Sequence, residues 1–240
     1  MQTKSADKQT THFNKRLIIS LLIFFIVIPL TICVGVVLFN DRKYNIISIL
    51  IAFLSCIPFF LAFEKRKPQP REMMCISVMT GISVAGRFAF AMIPGFKPVT
   101  AITAITGFSF GPEAGFLTGA MSAIVSNIFF GQGPWTPFQM FTWGLLGFIA
   151  GLLGKAGISR SKIVLVLYGI FSGILFSFCM DIWFVVSIDG LFNWKRYTIA
   201  IASAIPFTIT YAVSNVIFLL LLTKPIEEKL MRIKIKYGLM

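Results

Sequence analysis

Long apolar runs are the feature that most constrains what this chain can fold into. A transmembrane α-helix needs about 20 consecutive, mainly apolar residues, and the sequence holds several such runs separated by short polar stretches. Hydrophobic residues make up 57% of the 240 positions and charged residues 13%, against roughly 25% charged in an ordinary soluble domain. The sequence therefore predicts an all-α integral membrane protein without a separate soluble domain.

The runs also predict how the chain is organised. We expect a tail at 1–16, an N-terminal transmembrane helix pair at 17–63, a charged linker at 64–72, a six-helix membrane domain at 73–223 and a basic tail at 224–240. The six later runs lie near 73–92, 99–110, 114–130, 137–153, 163–187 and 197–222. The run 99–110 is short for a span, so it is expected to be tilted, partly broken or re-entrant.

The distribution of positive charge predicts the orientation, because loops rich in lysine and arginine stay cytoplasmic. If all eight runs span the bilayer, 16 of the 22 lysines and arginines fall on one side and five on the other, while Arg87 lies inside a run. Both termini are then cytoplasmic, and the chain is a multi-pass protein of the cell membrane.

Several chemistries lack the residues they need. The net charge is +13, and most of the charged residues lie between apolar runs. Nucleic-acid binders instead carry their positive charge on a solvated face. The one histidine, His12, is in the N-terminal tail, and the residues around Gly154-Lys155 do not complete a phosphate-binding loop. The cysteines show no paired spacing and are interpreted as packing residues: Cys33, Cys56, Cys75 and Cys179. We expect no catalytic residue, no metal site, no cofactor and no nucleic-acid partner.

One stripe of small residues runs along the third apolar run. Ser77, Gly81, Ala85 and Ala89 recur every four residues, so they share one helix face and allow another helix to approach closely. The stripe is interpreted either as a surface for packing within this chain or as a surface for docking to a separate subunit. Similar stripes are assigned mostly to internal packing: Gly115, Gly119 and Ala123; Gly147 and Gly151; Gly169, Gly173 and Ser177.

Arg87 and Asp181 are the only charged residues well inside an apolar run. A charge at the centre of a membrane helix costs about 2.5 to 3.5 kcal/mol on insertion scales, so each needs a reason. Both fall in the half of the membrane that is predicted to be outer. They are interpreted either as an ion pair that holds two helices together or as residues that face an outward cavity and touch a substrate.

The predicted external loops differ in kind from the internal ones. The segments 93–98 and 131–137 are rich in glycine, proline and aromatic residues, and 188–196 carries Asn193 next to aromatic residues. Aromatic residues at this depth often form an interfacial belt. Rigid turns combined with Gln132, Gln139 and Trp143 favour a second interpretation, in which the loops line and cover a pocket for a flat or ring-bearing ligand.

The residues between Arg71 and Thr223 resemble a known family. The segments Gly86-Arg87-Phe88-Ala89, Phe110-Gly111-Pro112-Glu113-Ala114-Gly115 and 131–140 are similar to the substrate-binding S components of energy-coupling factor (ECF) vitamin transporters. The stretch Gly133-Pro134-Trp135-Thr136-Pro137 most resembles the subgroup assigned to cobalamin-type substrates. The resemblance implies a six-helix domain, to which this chain adds two N-terminal helices, and it implies that the stripe at Ser77, Gly81, Ala85 and Ala89 docks onto a transmembrane coupling subunit.

On this basis the chain is expected to capture a vitamin, cobalamin or a related corrinoid, while two separate ATPase subunits hydrolyse ATP. An S component for another vitamin or precursor, a self-sufficient secondary transporter and a non-transporting scaffold are the alternatives. The expected substrate-binding residues are Arg87, Lys97, Asn127, Gln132, Trp135, Gln139, Trp143, Asp181, Trp183 and Asn193.

Overall fold

The computed structural model describes residues 53–54, 56–65, 68–158, 161–190 and 192–238. In this part of the chain all regular structure is helical. The helices are α1 (Ile57–Lys65), α2 (Pro70–Ala89), α3 (Val99–Phe110), α4 (Pro112–Phe130), α5 (Thr136–Lys155), α6 (Lys162–Asp189) and α7 (Trp194–Tyr237). The predicted tail 1–16 and the run 17–39 lie outside the described residues, as does half of the second run, 44–63.

Four of the described helices, α4 to α7, are long and apolar enough to cross a membrane, so the prediction of a multi-pass membrane protein is confirmed. Helix α2 has 20 residues, but its first turn holds Pro70, Arg71 and Glu72, which lowers its hydropathy. The arrangement of six core spans after two N-terminal spans stays a prediction.

Helix α3 has the bounds predicted from the sequence and a central position in the bundle. Ten of its twelve residues are buried, and at about 18 Å it is shorter than the roughly 30 Å hydrocarbon core. It ends at Gly111, whose φ of 97° and ψ of 175° belong to a region that is essentially restricted to glycine. Pro112 then starts α4, where a missing N–H is tolerated.

Glycines bring α3, α4 and α5 into backbone contact. A Cβ on Gly107 or Gly115 would overlap the carbonyl of Gly147, and one on Gly119 would overlap the backbone of Trp143. Without these side chains the helix axes can approach closely, which is how membrane helices associate. The internal-packing role predicted for the stripes on α4 and α5 is therefore confirmed.

Helices α6 and α7 form an antiparallel pair by the same means. Gly169 faces Val216 and Gly173 faces Ala212 without room for a Cβ, and Thr208 donates a hydrogen bond to Ser177 at 2.7 Å. The outer faces of both helices expose large apolar side chains such as Ile163, Leu167 and Leu221. These faces suit contact with lipid rather than water.

The last helix continues beyond the predicted end of the membrane domain. Its 44 residues make it about 66 Å long, roughly twice the hydrocarbon thickness. The part after Pro225 folds onto the core, because Leu230 packs in a cluster with Phe63, Ile76 and Ile105. At its end the backbone carbonyl of Tyr237 accepts a hydrogen bond from Arg71 at 3.5 Å.

The small-residue stripe on α2 has a different environment from the other stripes. Ser77, Gly81, Ala85 and Ala89 are all exposed, and no described atom lies within 4 Å of a Cβ built on Gly81. The described part of the chain therefore leaves this face of α2 uncovered.

Candidate functional site

Every predicted substrate-binding residue lies toward one end of the bundle. We call it the loop end, because it carries the connections 90–98, 131–135 and 190–193 between helices. The other end, with the connections 111 and 156–161 and the end of α7, is called the terminal end.

Arg87 is the centre of a hydrogen-bond network at the loop end. It is 7% exposed, and its Nη1 donates to the Ser126 hydroxyl and to Asn127 Oδ1 at 2.7 Å. Both acceptors lie on α4, so the side chain bridges α2 and α4. Bonds of this kind involve a charged donor and are stronger than neutral ones, which offsets part of the cost of placing an arginine in the membrane.

The network continues from Asn127 into the start of α5. Asn127 Nδ2 donates to Gln139 Oε1 at 2.8 Å and to the Thr136 hydroxyl at 3.0 Å. Thr136 donates in turn to Gln132 Oε1 at 3.0 Å, and Gln132 Nε2 donates to the Ile124 carbonyl at 2.9 Å. Four residues expected to bind substrate, Arg87, Asn127, Gln132 and Gln139, therefore meet in one network.

Aromatic rings surround the arginine. Its guanidinium carbon lies 4.6 Å from the ring centre of Phe130 and 5.2 Å from that of Trp143, within the range of a cation–π contact. Trp143 stacks on Phe176 with ring centres 5.4 Å apart, and Phe176 meets the edge of Tyr211 at 5.0 Å. The site thus combines a positive charge with a run of aromatic faces.

A small cavity of about 30 Å³ lies beside these rings. Lys97, Trp143, Phe176, Tyr211 and Asn215 are among the residues that line it. Asn215 Nδ2 donates to the Ser172 hydroxyl at 3.0 Å, which fixes the amide at the junction of α6 and α7. The cavity has the volume of about one water molecule.

Lys97 brings a second cation to the site from the loop 90–98. Its Nζ lies 5.4 Å from the ring centre of Phe130, so that ring is shared by two cations. Burial lowers the pKa of the Lys97 ammonium, and the positive charge of Arg87 lowers it further. Its backbone is tied to α7, since Lys97 N donates to the Ser214 hydroxyl at 2.9 Å and that hydroxyl donates to Lys97 O at 3.2 Å.

Asp181 does not pair with Arg87 in this structure, so the ion pair, one of the two interpretations of these residues, is not observed. The hydrogen bonds of Arg87 go to Ser126 and Asn127, because these acceptors on α4 lie within hydrogen-bond distance of its Nη1. Asp181 Oδ2 and Arg87 Nε are both buried without a hydrogen-bond partner among the described residues. Buried polar atoms are usually satisfied in proteins, so these two atoms depart from the usual pattern.

The three remaining predicted residues lie at the edge of the site. Trp135 and Trp183 meet edge to face, with ring centres 5.8 Å apart, and so connect the loop 131–135 to α6. Asn193 is exposed and caps α7, because its side chain accepts from Arg196 N at 3.2 Å. A capping role explains this asparagine without a ligand.

Several residues of the site were missed from the sequence. Ser126 and Thr136 complete the network, while Phe176, Tyr211 and Asn215 line the cavity. An asparagine inside a transmembrane run is a signal that could have identified Asn215, since polar side chains at that depth need a partner. The aromatic residues gave no signal, because phenylalanine occurs 26 times in this chain.

The described part of the chain is a helical bundle with lipid-suited outer faces and a polar, aromatic cluster at one end, an arrangement that suits a membrane protein with a small solute as its ligand. Residues 69–228, two thirds of the chain, match the family model of the ECF-type riboflavin transporter S component, and the chain belongs to this family. It is accordingly a substrate-specific subunit of an ECF transporter, a class of transport protein and not of enzyme, which works with an ECF module and a small vitamin substrate. No solved structure matches the chain.

The match corrects the predicted subgroup, because the family is the riboflavin type and not a cobalamin type. The prediction relied on the stretch Gly133-Pro134-Trp135-Thr136-Pro137. In the structure Thr136 accepts from Gly133 N at 3.3 Å and helps to begin α5, and Trp135 packs on Trp183. These residues build the turn and the start of a helix, a task that does not depend on which vitamin is bound.

Proposed function

We propose that this chain captures riboflavin at the loop end and delivers it through a coupling subunit energised by two ATPase subunits. The single observation that carries the proposal is the line of aromatic faces, Trp143, Phe176 and Tyr211, beside the unpartnered polar atoms of Arg87 and Asp181. The family match supplies the type of substrate.

The chemistry of riboflavin fits these groups. Its ring system is flat and aromatic, so it can stack against the rings of Trp143 or Phe176. One edge of the ring system carries two carbonyl oxygens and an N–H. Arg87 and Lys97 can donate to the carbonyls and Asp181 can accept from the N–H, which would satisfy the buried polar atoms that now lack partners.

Riboflavin requires a more open form of the site. Pockets for ligands of this size measure about 300 to 1,000 Å³, whereas the cavity here measures about 30 Å³. The bonds between Lys97 and Ser214 hold the loop 90–98 against α7. We therefore expect the ligand to select a conformation in which this loop has moved from α7.

The exposed stripe on α2 supports a docking surface for the coupling subunit. Ser77, Gly81, Ala85 and Ala89 form a smooth face that no described residue covers. The other small-residue stripes are filled by helices of this chain. The loop end is proposed to face outward, with both termini cytoplasmic, in agreement with the distribution of lysine and arginine.

The test is direct binding by the full-length chain in detergent. Stacking on an aromatic residue should quench riboflavin fluorescence, so titration should give saturable quenching at one ligand per chain. Lys97→Gln should weaken binding about tenfold or more, because a hydrogen bond from a charged donor is lost. Lys195→Gln is the matched control, since this lysine is exposed at the same end and should leave the affinity unchanged.

Two outcomes would contradict the proposal. One is the absence of saturable binding by a chain that still shows a cooperative thermal transition. The other is displacement of riboflavin by cobalamin at similar concentration, because a site of this size and chemistry should not accept a corrinoid.

A further inference from the structure

A second and much larger concavity lies at the terminal end. It is a groove of about 720 Å³ between the last third of α7, the start of α6 and the ends of α3 and α5. Its walls carry four cations, Lys162, Lys224, Arg232 and Lys234, and two carboxylates, Glu227 and Glu228. The groove is therefore net positive and is separated from the loop-end site by the length of the bundle.

Three of the cations have no counter-ion among the residues that the structure describes. Lys162, Lys224 and Arg232 form no hydrogen bond or ion pair with any residue of the described ranges. Lys234 is held in place differently, because its Nζ donates to the Ser109 carbonyl and lies 5.4 Å from the ring centre of Phe110. Three cations on the walls of one groove, with no described counter-ion, attract an anion.

An unsatisfied hydroxyl marks where the anion would bind. Thr223 lies on the groove wall and is 4% exposed, and its Oγ1 is buried without a partner in the described part of the chain. A helical threonine commonly donates to the carbonyl four residues earlier. Thr106 and Thr118 do so, at 2.9 Å and 3.0 Å, but Thr223 does not. Its hydroxyl therefore has no acceptor in the described part of the chain.

We propose that this groove binds the phosphate headgroup of an anionic phospholipid. The walls are amphipathic, since Leu165, Leu220 and Met231 line the groove together with the cations. The apolar side continues onto the lipid-suited surface of α6 and α7, where Ile163 and Leu221 are exposed. A soluble phosphate would use only the cations, whereas a phospholipid uses both parts of the wall, and basic pockets between membrane helices are known to hold such headgroups.

The N-terminus of α6 contributes to the same site. Ser161 caps this helix by accepting from Val164 N at 3.1 Å, and Lys162 is its first residue. The positive end of a 28-residue helix dipole therefore adds to the charge of the side chains. This end of the chain is the one predicted to be cytoplasmic, where anionic lipids give the membrane surface its negative potential.

The experiment uses the full-length chain, delipidated in detergent and then supplied with dioleoyl phosphatidylglycerol or dioleoyl phosphatidylcholine. Native mass spectrometry should show phosphatidylglycerol retained in preference to phosphatidylcholine, and phosphatidylglycerol should raise the melting temperature. Lys162→Gln and Arg232→Gln should each lower its affinity about fivefold. Thr223→Val should lower it about tenfold while leaving the melting temperature of the lipid-free chain unchanged or higher, because the lost hydroxyl had no partner.

The controls separate this site from general electrostatic attraction and from a soluble ligand. Lys195→Gln removes an exposed lysine at the loop end and should not change retention. Equal retention of the two lipids, or an equal loss with Lys195→Gln, would overturn the proposal. A melting-temperature rise with inorganic phosphate as large as that with phosphatidylglycerol would also overturn it, because the occupant would then be a free anion.

Discussion

Substituting Ala85 by leucine tests whether the stripe on α2 docks a partner or packs within the chain. Ala85 is exposed, and the neighbouring Gly81 has no described atom within 4 Å of a Cβ built on it. Leucine adds three carbon atoms to a face that otherwise lets a helix approach closely. The change should hold a partner helix off by a few ångströms and remove the close packing on which such association depends.

Gly147→Ala is the matched variant, and it is expected to lower the stability of the isolated chain. At Gly147 a Cβ would overlap the backbone of Gly115, and backbone cannot move aside as a side chain can. Overpacking of this kind costs about 1 to 3 kcal/mol. For a chain of this size the expected fall in melting temperature with Gly147→Ala is about 2 to 12 °C. Surface changes stay within about 0.5 kcal/mol, so Ala85→Leu should shift the melting temperature by about 2 °C or less.

Three measurements on the same preparations decide between the two roles. Ala85→Leu should keep the melting temperature and the riboflavin affinity of the isolated chain, and it should abolish co-purification of the coupling subunit and riboflavin uptake. Gly147→Ala should instead lower the melting temperature of the isolated chain. If Ala85→Leu still recruits the coupling subunit, the docking assignment is refuted. If it lowers the melting temperature as much as Gly147→Ala, the stripe packs against this chain.

Three further predictions follow from the site and the topology. Arg87→Gln and Asp181→Asn should each weaken riboflavin binding, and their effects on the free energy of unfolding should add to within about 0.5 kcal/mol in a double-mutant cycle; a larger interaction energy would reveal an ion pair that this structure does not contain. Asn127→Leu should destabilise the chain by about 1 to 3 kcal/mol, measured by thermal unfolding, because it removes one of the two acceptors of Arg87 Nη1 and leaves Gln139 Oε1 without its donor. In intact cells, an impermeant thiol reagent should label Lys195→Cys and not Lys229→Cys relative to the unsubstituted chain; the reverse pattern would invert the orientation.

The sequence was sufficient for most of the helix bounds and for the end of the bundle that holds the site. The run 99–110 has the predicted limits, because proline and glycine on either side leave the backbone few alternatives. Gln132, Gln139 and Asn127 meet because short connections bring the end of α4 next to the start of α5. Helix limits and contacts across short connections can therefore be predicted from the spacing of residues along the chain.

Long-range pairing could not be derived in the same way. Arg87 and Asp181 lie at similar predicted depths, but which acceptor reaches the arginine depends on the rotation of α2 and α4 about their axes. The small-residue stripes show the same limit. Gly81 and Gly147 both belong to such a stripe in an apolar run, but a Cβ on Gly81 would meet no described atom within 4 Å, whereas one on Gly147 would overlap the backbone of Gly115. The path of α7 after Pro225 was also missed, because a basic segment outside the membrane gives no sign of packing on the core.

The buried polar atoms of Arg87 and Asp181 at the loop end favour a preorganised ligand-binding site. Placing Arg87 in the membrane costs about 2.5 to 3.5 kcal/mol. The bonds to Ser126 and Asn127 offset only part of it, since Arg87 Nε has no partner among the described residues. On α6, Asp181 Oδ2 is likewise buried without a hydrogen-bond partner among the described residues. Because both atoms are already buried in the folded chain, a ligand that hydrogen-bonds to them gains those bonds without that desolvation cost. A pair that served stability alone would satisfy its own buried atoms, so the two orphaned atoms favour binding over a purely structural role.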